Sequence, residues 1–292
     1  MSSIIKSLVY TRFAIRTSWP IWWNILNRTP RALFAKNTPI LDDTQRRLVE
    51  GLKKDGIVAT TLDELFPGQH MLATLQAYAK SLEPNAKSRT KKLFLKHYWD
   101  ITPQLDLNNP FIAIIINKRI VDIANSYMEM WTKLKYYTLI ETTPVGGEDA
   151  VQSQRWHRDP EEKRMCKMFI YLTDVDEESG PFIYTPQSVY GKKYGHLFPQ
   201  RPPEGIYPPE EAVSRAIPKE DVRVFTGKAG TVLFCDTTGI HRGGYARSKP
   251  RLMFTAFFSA PTFSEPTRYT HPQGFAKTAE SLDPAVRYTL EP

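Results

Sequence analysis

Arg251-Leu252-Met253-Phe254-Thr255-Ala256-Phe257-Phe258-Ser259 reads as a single strand. Strand side chains alternate between faces, so Arg251, Met253, Thr255 and Phe257 share one side and Leu252, Phe254, Ala256 and Phe258 the other. A charge at the head of so apolar a strand needs a partner if its side faces inward, and a guanidinium suits a two-point grip on a carboxylate. Arg247 and Lys249 stand close by, so a solvated basic cluster accounts for the same charges equally well.

Upstream, the same alternation with turn signals between short runs predicts strands over 135–141, 152–159, 165–173, 182–185, 222–225 and 231–235. Such a series describes an antiparallel β-sandwich or barrel. Before residue 135 the period is helical. Asp42 and Asp43 stand at the mouth of a helix over 44–54 whose Leu48, Val49 and Leu52 form one stripe, and Asp55-Gly56 closes it. A strand over 57–61, a helix over 71–82 and a long helix over 111–134 after Pro110 are expected to follow. The fold class is therefore α+β, mainly β, with N-terminal helices packed on the β core. Residues 191–221 form a proline-rich excursion, too long for a simple connection and expected to be a lid or an insertion. The lysine-rich stretch 87–96 is expected to be solvated, with a substrate-facing basic patch as the alternative.

With 41% hydrophobic and 24% charged residues, the 292-residue chain has the composition of a globular protein and not of a disordered one. Cys166 and Cys235 lie far apart without a Cys-X-X-Cys pairing, which excludes a disulfide framework or zinc ribbon and fits a reducing, cytoplasmic setting. A net charge of +8 favours an anionic partner: a carboxylated or phosphorylated small molecule, a lipid surface or nucleic acid. Residues 1–41 hold Lys6, Arg12, Arg16, Arg28, Arg31 and Lys36 and no acid, interleaved with Trp19, Trp22 and Trp23. That basic arm is expected either to lie on acidic lipid or to pack its tryptophans on the domain. No apolar run reaches about 18 residues, so no transmembrane helix is expected. Asp174, Asp176, Glu177 and Glu178 suggest a calcium loop, but Ser179 stands where that loop needs glycine.

Ser153-Gln154-Arg155-Trp156-His157-Arg158-Asp159-Pro160 holds the first chemical signal. On a strand, His157 and Asp159 project from the same face, half of a metal site. His241 follows the apolar run 231–235 after a short turn. Two imidazoles and one carboxylate are the facial set of a non-haem Fe(II) centre. A structural role is the plainer reading of either histidine alone.

His157-X-Asp159, His241 and Arg251 ten residues later resemble the Fe(II)- and 2-oxoglutarate-dependent oxygenases, most nearly the phytanoyl-CoA dioxygenase family. The similarity includes Trp156 before the first histidine, Glu178-Ser179-Gly180-Pro181-Phe182, Tyr184-Thr185-Pro186-Gln187-Ser188, Gly230-Thr231-Val232-Leu233-Phe234, and Leu52-Lys53-Lys54-Asp55-Gly56-Ile57-Val58. The resemblance implies a double-stranded β-helix (jelly-roll, cupin-like) core flanked by N-terminal helices. It implies an arm over 1–41, an oxygenase domain over 42–262 with its β core about 135–262 and an insertion over 191–221, and a C-terminal tail over 263–292.

It further implies that His157, Asp159 and His241 are the catalytic metal ligands and that Arg251 binds the far carboxylate of 2-oxoglutarate, with Fe(II), 2-oxoglutarate and O2 as cofactors and co-substrates. The expected reaction hydroxylates an unactivated C–H of a small-molecule or acyl/lipid-like substrate, with release of succinate and CO2. Asp159, in place of a glycine or alanine, argues for hydroxylation over halogenation. The chain departs from the family at Pro186-Gln187-Ser188-Val189, where Pro-Gly-Ser-His is frequent, and at Gly243, where a small hydroxylated residue is frequent. The competing readings are a non-catalytic β-sandwich ligand-binding protein and a nucleic-acid demethylase of the same superfamily. Nucleic acid is the less expected partner: it would call for base-stacking aromatics interleaved with basic residues near the site, and the basic cluster of residues 1–41 is better matched to lipid, so peripheral membrane contact through it stays open.

Overall fold

In the computed structural model, which describes residues 3–85, 94–144, 150–202 and 206–291, the chain begins with α1 (Ser3–Arg16), a π-helical turn (Ile21–Leu26) and α2 (Arg28–Lys36). α3 (Asp43–Asp55) starts on a reciprocal cap: Asp42 accepts from the Gln45 N–H at 2.9 Å, and the Gln45 side chain accepts from the Asp42 N–H at 3.1 Å. It ends at Gly56, whose φ of 78° suits glycine. β1 (Ile57–Thr61), α4 (Leu62–Leu65), α5 (Met71–Lys80), β2 (Leu95–His97), α6 (Pro110–Ile115) and α7 (Lys118–Met128) complete the N-terminal half. Then follow β3 (Lys133–Thr142), β4 (Met165–Tyr171), β5 (Phe182–Tyr184), α8 (Glu210–Ala216), β6 (Arg223–Phe225), β7 (Thr231–Cys235), β8 (His241–Arg242), β9 (Arg251–Ser259), α9 (Phe275–Ala279) and α10 (Pro284–Leu290).

The strands form a six-stranded sheet in the order β1-β7-β4-β9-β3-β2 and a three-stranded sheet in the order β6-β5-β8, with every pairing of strands antiparallel. Alternation sorts the large sheet's residues between two cores. Met168, Ile170, Val232, Phe234, Phe254, Ala256 and Phe258 pack with the helices, on Leu48, Leu52, Ile112 and Ile123. Phe169, Tyr171, Leu233 and Cys235 point the other way and meet Phe182 and Tyr184 of the small sheet. The fold is a jelly-roll core flanked by helices, as expected, and β9 divides its side chains as its sequence requires.

Two expected elements are corrected. The helix over 111–134 is two helices, because the Asn117 side chain accepts from the Arg119 N–H and caps a new start, and Glu129, at φ 55°, ends α7 before β3 begins. The strand over 152–159 is a single 3-10 turn (Gln152–Gln154) followed by one isolated bridge, His157 to His241. Much of the stretch 87–96 lies outside the described residues, and its end forms β2.

The arm packs on the body. Trp22 is buried, Trp19 stacks on Trp23 and Tyr190, and Arg16 pairs with the buried Glu162 at 2.7 Å. At the other terminus Tyr269, Val286 and Leu290 are buried. Asp174 and Asp176 pair with Lys228 and Lys249, as a solvated turn does. Among the described residues no helix is long and apolar enough to cross a membrane.

Candidate metal centre

His157 and His241 face each other across a two-way backbone bridge, each N–H donating to the other's carbonyl at 2.9 Å. The Asp159 N–H donates to Thr237 O at 2.9 Å, so residues 157–159 lie along the stretch that leads into β8. Locally the chain is extended, and alternation holds without a full ladder: His157 and Asp159 line the cavity while the Arg158 guanidinium reaches away to the carbonyls of residues 188–198 and 238. The Arg158 guanidinium donates to the carbonyls of Ser188, Tyr194, Leu197, Phe198 and Thr238. Burial pushes it down to about 10, and no carboxylate pairs with it among the described residues. It ties residues 157–159 to residues 188–198.

The donor atoms of His157, Asp159 and His241 all lie within 4.8 Å of one another. His157 Nε2 is 3.7 Å from Asp159 Oδ1, and His241 Nε2 is 3.9 Å from Asp159 Oδ2. Each Nδ1 sits on a backbone carbonyl, His157 on Arg155 O at 2.8 Å and His241 on Gly239 O at 3.0 Å. A carbonyl only accepts, so each Nδ1 carries the proton and each Nε2 presents its lone pair. Burial pushes His241 down to about 3, with His157 adding to the effect, so the ring is a neutral ligand at physiological pH.

Lys167, on the inner face of β4, donates to Asp159 Oδ2 at 2.5 Å. Burial opposes ionisation of Asp159 most strongly of any single influence, but the Lys167 ammonium together with His241 and His157 outweighs it and holds the carboxyl well below the usual range. The converse holds for Lys167, where Asp159 overcomes the burial that would discharge the ammonium.

Arg251 stands at the head of β9, opposite Thr142 of β3, and lines the same cavity of about 400 Å³. Its guanidinium is 4% exposed, donates to Gly180 O, has an unpartnered Nε and has no carboxylate partner among the described residues. The Gly180 turn that supplies this carbonyl is closed by Gly244, where a Cβ would lie 2.1 Å from Gly180 C. A buried guanidinium without a counter-ion is costly, and one facing a cavity fits an entering carboxylate. Two imidazoles, one ionised carboxylate and this guanidinium fit a divalent metal and a dicarboxylate.

Around them are Glu161, Gln154, Tyr136 and Tyr207. Glu161 Oε2 and Gln154 Nε2 are buried without partners among the described residues. Burial pushes the Glu161 carboxyl up to about 7, and Asp159 adds to it. Tyr207, from the insertion, stacks on His157 at 5.6 Å between ring centroids.

The four residues singled out in sequence are thus brought together. Sequence reasoning passed over Arg158, Lys167, Gln154 and Glu161. Lys167 had a signal, since it is the one charge in the apolar run 165–171. Arg158 had none, being the X of a His-X-Asp pattern.

The family model described as phytanoyl-CoA dioxygenase (PhyH) matches residues 66–252. No curated protein matches the chain. Among solved structures, the epimerase SnoN in complex with Fe3+, alpha ketoglutarate and nogalamycin RO superposes with a TM-score of 0.54 at 16% identity, covering 80% of this chain and 88% of that one. EctD from S. alaskensis with bound Fe gives 0.50 at 18% identity, covering 78% and 83%. HygX from Streptomyces hygroscopicus with nickel and 2-oxoglutarate gives 0.50 at 13%, covering 77% and 90%. At such identities the superpositions establish the fold, and the family model carries the assignment: the chain belongs to the phytanoyl-CoA dioxygenase family and is a 2-oxoglutarate-dependent dioxygenase that uses Fe(II) and O2.

Proposed function

We propose that this dioxygenase hydroxylates an unactivated C–H of a small molecule, with His157 Nε2, Asp159 and His241 Nε2 holding the iron and Arg251 holding the far carboxylate of 2-oxoglutarate. The observation that supports it best is the convergence, in one cavity, of three metal-type donors and a buried guanidinium that lacks a counter-ion. When bound, iron would supply activation of O2, which is the oxidant: one of its oxygen atoms enters succinate as 2-oxoglutarate loses CO2, and the other passes to the substrate.

The chain's own residues then position and orient. Arg155 O and Gly239 O fix the two imidazole tautomers, and Lys167 keeps Asp159 ionised and directed at the metal. No side-chain acid or base is required at the reacting carbon, so the outcome is governed by where the substrate is held.

For the substrate, the lining favours a polar small molecule over an acyl chain. Glu161 Oε2 offers a buried acceptor and Gln154 Nε2 a buried donor, the latter aimed by the Val151 N–H bound to Gln154 Oε1 at 3.0 Å. A hydrocarbon would leave both unpaired. The same reading takes residues 42–262 as the catalytic domain, 1–41 as an arm and 263–292 as a C-terminal tail.

The test is ligand-linked stability followed by turnover. Mn(II) with 2-oxoglutarate is expected to raise the melting temperature of the protein, because both bind only the native state. Arg251→Leu should lose the 2-oxoglutarate increment and retain the metal increment. Asp159→Ala and His241→Ala should lose the metal increment and abolish substrate-dependent succinate release. Normal turnover in either would refute the ligand assignment.

A further inference from the structure

We infer that α1 is an anionic-membrane docking element, lying on the bilayer surface through a stripe formed by Ile5, Leu8, Arg12 and Ile15. This inference is independent of the catalytic reading. Of the eleven large hydrophobic side chains that are exposed among the described residues, six fall within residues 1–41: Ile5, Leu8, Tyr10, Ile15, Ile25 and Ile40. Scattered singly, such residues need no explanation, but a concentration in one-seventh of the chain does.

Three of the six share a face. Ile5, Leu8 and Ile15, at 47%, 64% and 56% exposure, fall with Arg12 at positions i, i+3, i+7 and i+10, one stripe of a 3.6-residue helix. The adjoining face, about a quarter-turn round the helix, is already used: Val9, Phe13 and Arg16 are half-buried towards the body, where Arg16 holds Glu162. α1 therefore carries a strip of apolar side chains beside the one that meets the body, and that strip is left uncovered.

Charge decides what covers that strip. Residues 1–41 contain six cations and no acid. Arg16 is taken by Glu162, and Arg31 lies 3.8 Å over the Trp23 ring. Arg12, Arg28 and Lys36 are exposed and have no carboxylate partner among the described residues. Pairing with a second copy of α1 would place Arg12 among like charges inside the seam, with nothing in the segment to neutralise them. An anionic headgroup layer accepts the same apolar side chains and neutralises the cations at once. The tryptophans are not the anchors, since Trp22 is fully buried and Trp19 and Trp23 stack on each other.

The experiment is co-sedimentation of the full chain with phosphatidylcholine vesicles and with two-to-one phosphatidylcholine–phosphatidylglycerol vesicles, at low and high salt, beside analytical ultracentrifugation without lipid. Binding is expected only to the phosphatidylglycerol vesicles and is expected to weaken with salt. Leu8→Glu with Ile15→Glu should weaken it at least about tenfold, and Arg12→Glu about fivefold or more. All three positions are exposed, so the Mn(II) and 2-oxoglutarate melting shift should be unchanged in these variants, which separates loss of docking from loss of fold. Three results would overturn the inference: no binding to anionic vesicles, binding that ignores these substitutions or is equal on phosphatidylcholine alone, or a concentration-dependent dimer that the double variant dissolves.

Discussion

Residues 157–164 and β9 both reach the cavity, and they are held in place by different means. β9 is a nine-residue strand laddered on both sides, by β3 and by β4, with Phe254, Ala256 and Phe258 sunk into the helix-side core. Its position follows from hydrophobic burial and backbone pairing, which tolerate changes of salt and pH. Residues 157–164 have one bridge and no ladder. Their side chains include Arg158, Asp159, Glu161, Glu162, Lys163 and Arg164, several of them buried, and they are fixed by specific charge-assisted bonds to Lys167, Arg16 and a fan of carbonyls. The stretch that carries His157 and Asp159 is therefore positioned by polar contacts that must all be satisfied, and Arg251 by a rigid strand.

The largest effects should separate those two designs at matched stability cost. Phe258→Ala opens a cavity in the core and is expected to cost about 3–5 kcal/mol. Arg158→Met strips the donors from five carbonyls, three of them buried, and is expected to cost a similar amount, about 3–5 kcal/mol. Their consequences for the site should differ. Phe258→Ala should keep the melting shift with Mn(II) and 2-oxoglutarate, because β9 remains laddered, whereas Arg158→Met should lose it, because the Arg158 guanidinium gathers the carbonyls of residues 188–198 onto residues 157–159. Equal retention of the shift in both variants would break the comparison.

Lys167 sharpens it further, since it is the contact through which the regular sheet steadies the irregular stretch. Lys167→Met is expected to weaken metal binding about ten- to hundredfold, the usual effect of removing the partner of a metal ligand. Two influences compete: loss of orientation and ionisation of Asp159 weakens binding, while loss of a nearby positive charge strengthens it. The contact at 2.5 Å makes the first dominant. The sign with pH follows. In the parent Asp159 is depressed below its ordinary 3.8, so its contribution is fully present above that value and is lost only on strong acidification. In Lys167→Met burial acts with one opponent fewer, so metal binding should decline on mild acidification where the parent's is flat. Tighter binding in the variant would show that charge repulsion decides this site.

The same contrast explains what the sequence disclosed. β1, β7 and β9 occupy the spans that alternation predicts, because ladders and two-sided burial impose the period on the residues themselves. The four convergent residues were legible as a spaced pattern. The bridge at His157 was not, because residues 152–159 alternate well enough for a strand while Gln154 folds back to cap a turn on Val151. Asn117 likewise carries a helix start inside an apolar run that reads as continuous. Arg158 was illegible because its partners are backbone carbonyls, which leave no side-chain signature in any sequence.

The smallest effect concerns Lys163, beside this stretch. Its ammonium lies 3.2 Å from the centre of the Tyr190 ring, in a pocket shared with Lys53, Arg164, Lys192 and Glu129, and burial pushes it down to about 8 from an ordinary 10.5. Because the native state releases this proton first, the unfolded chain binds more protons between about 8 and 10.5, and stability should rise with pH across that window. Lys163→Met removes the cost of the buried charge, so it should be more stable than the parent at pH 7 by about 1 kcal/mol, a figure reduced because the group is partly solvated and the ring returns some of the charge's lost hydration. The advantage should shrink towards zero as the parent's lysine discharges. Phe258→Ala should show no such window, its cost being apolar at every pH. A Lys163→Met advantage that persists unchanged to pH 10.5 would mean that packing against Tyr190, and not charge, sets the energetics of this end of the stretch.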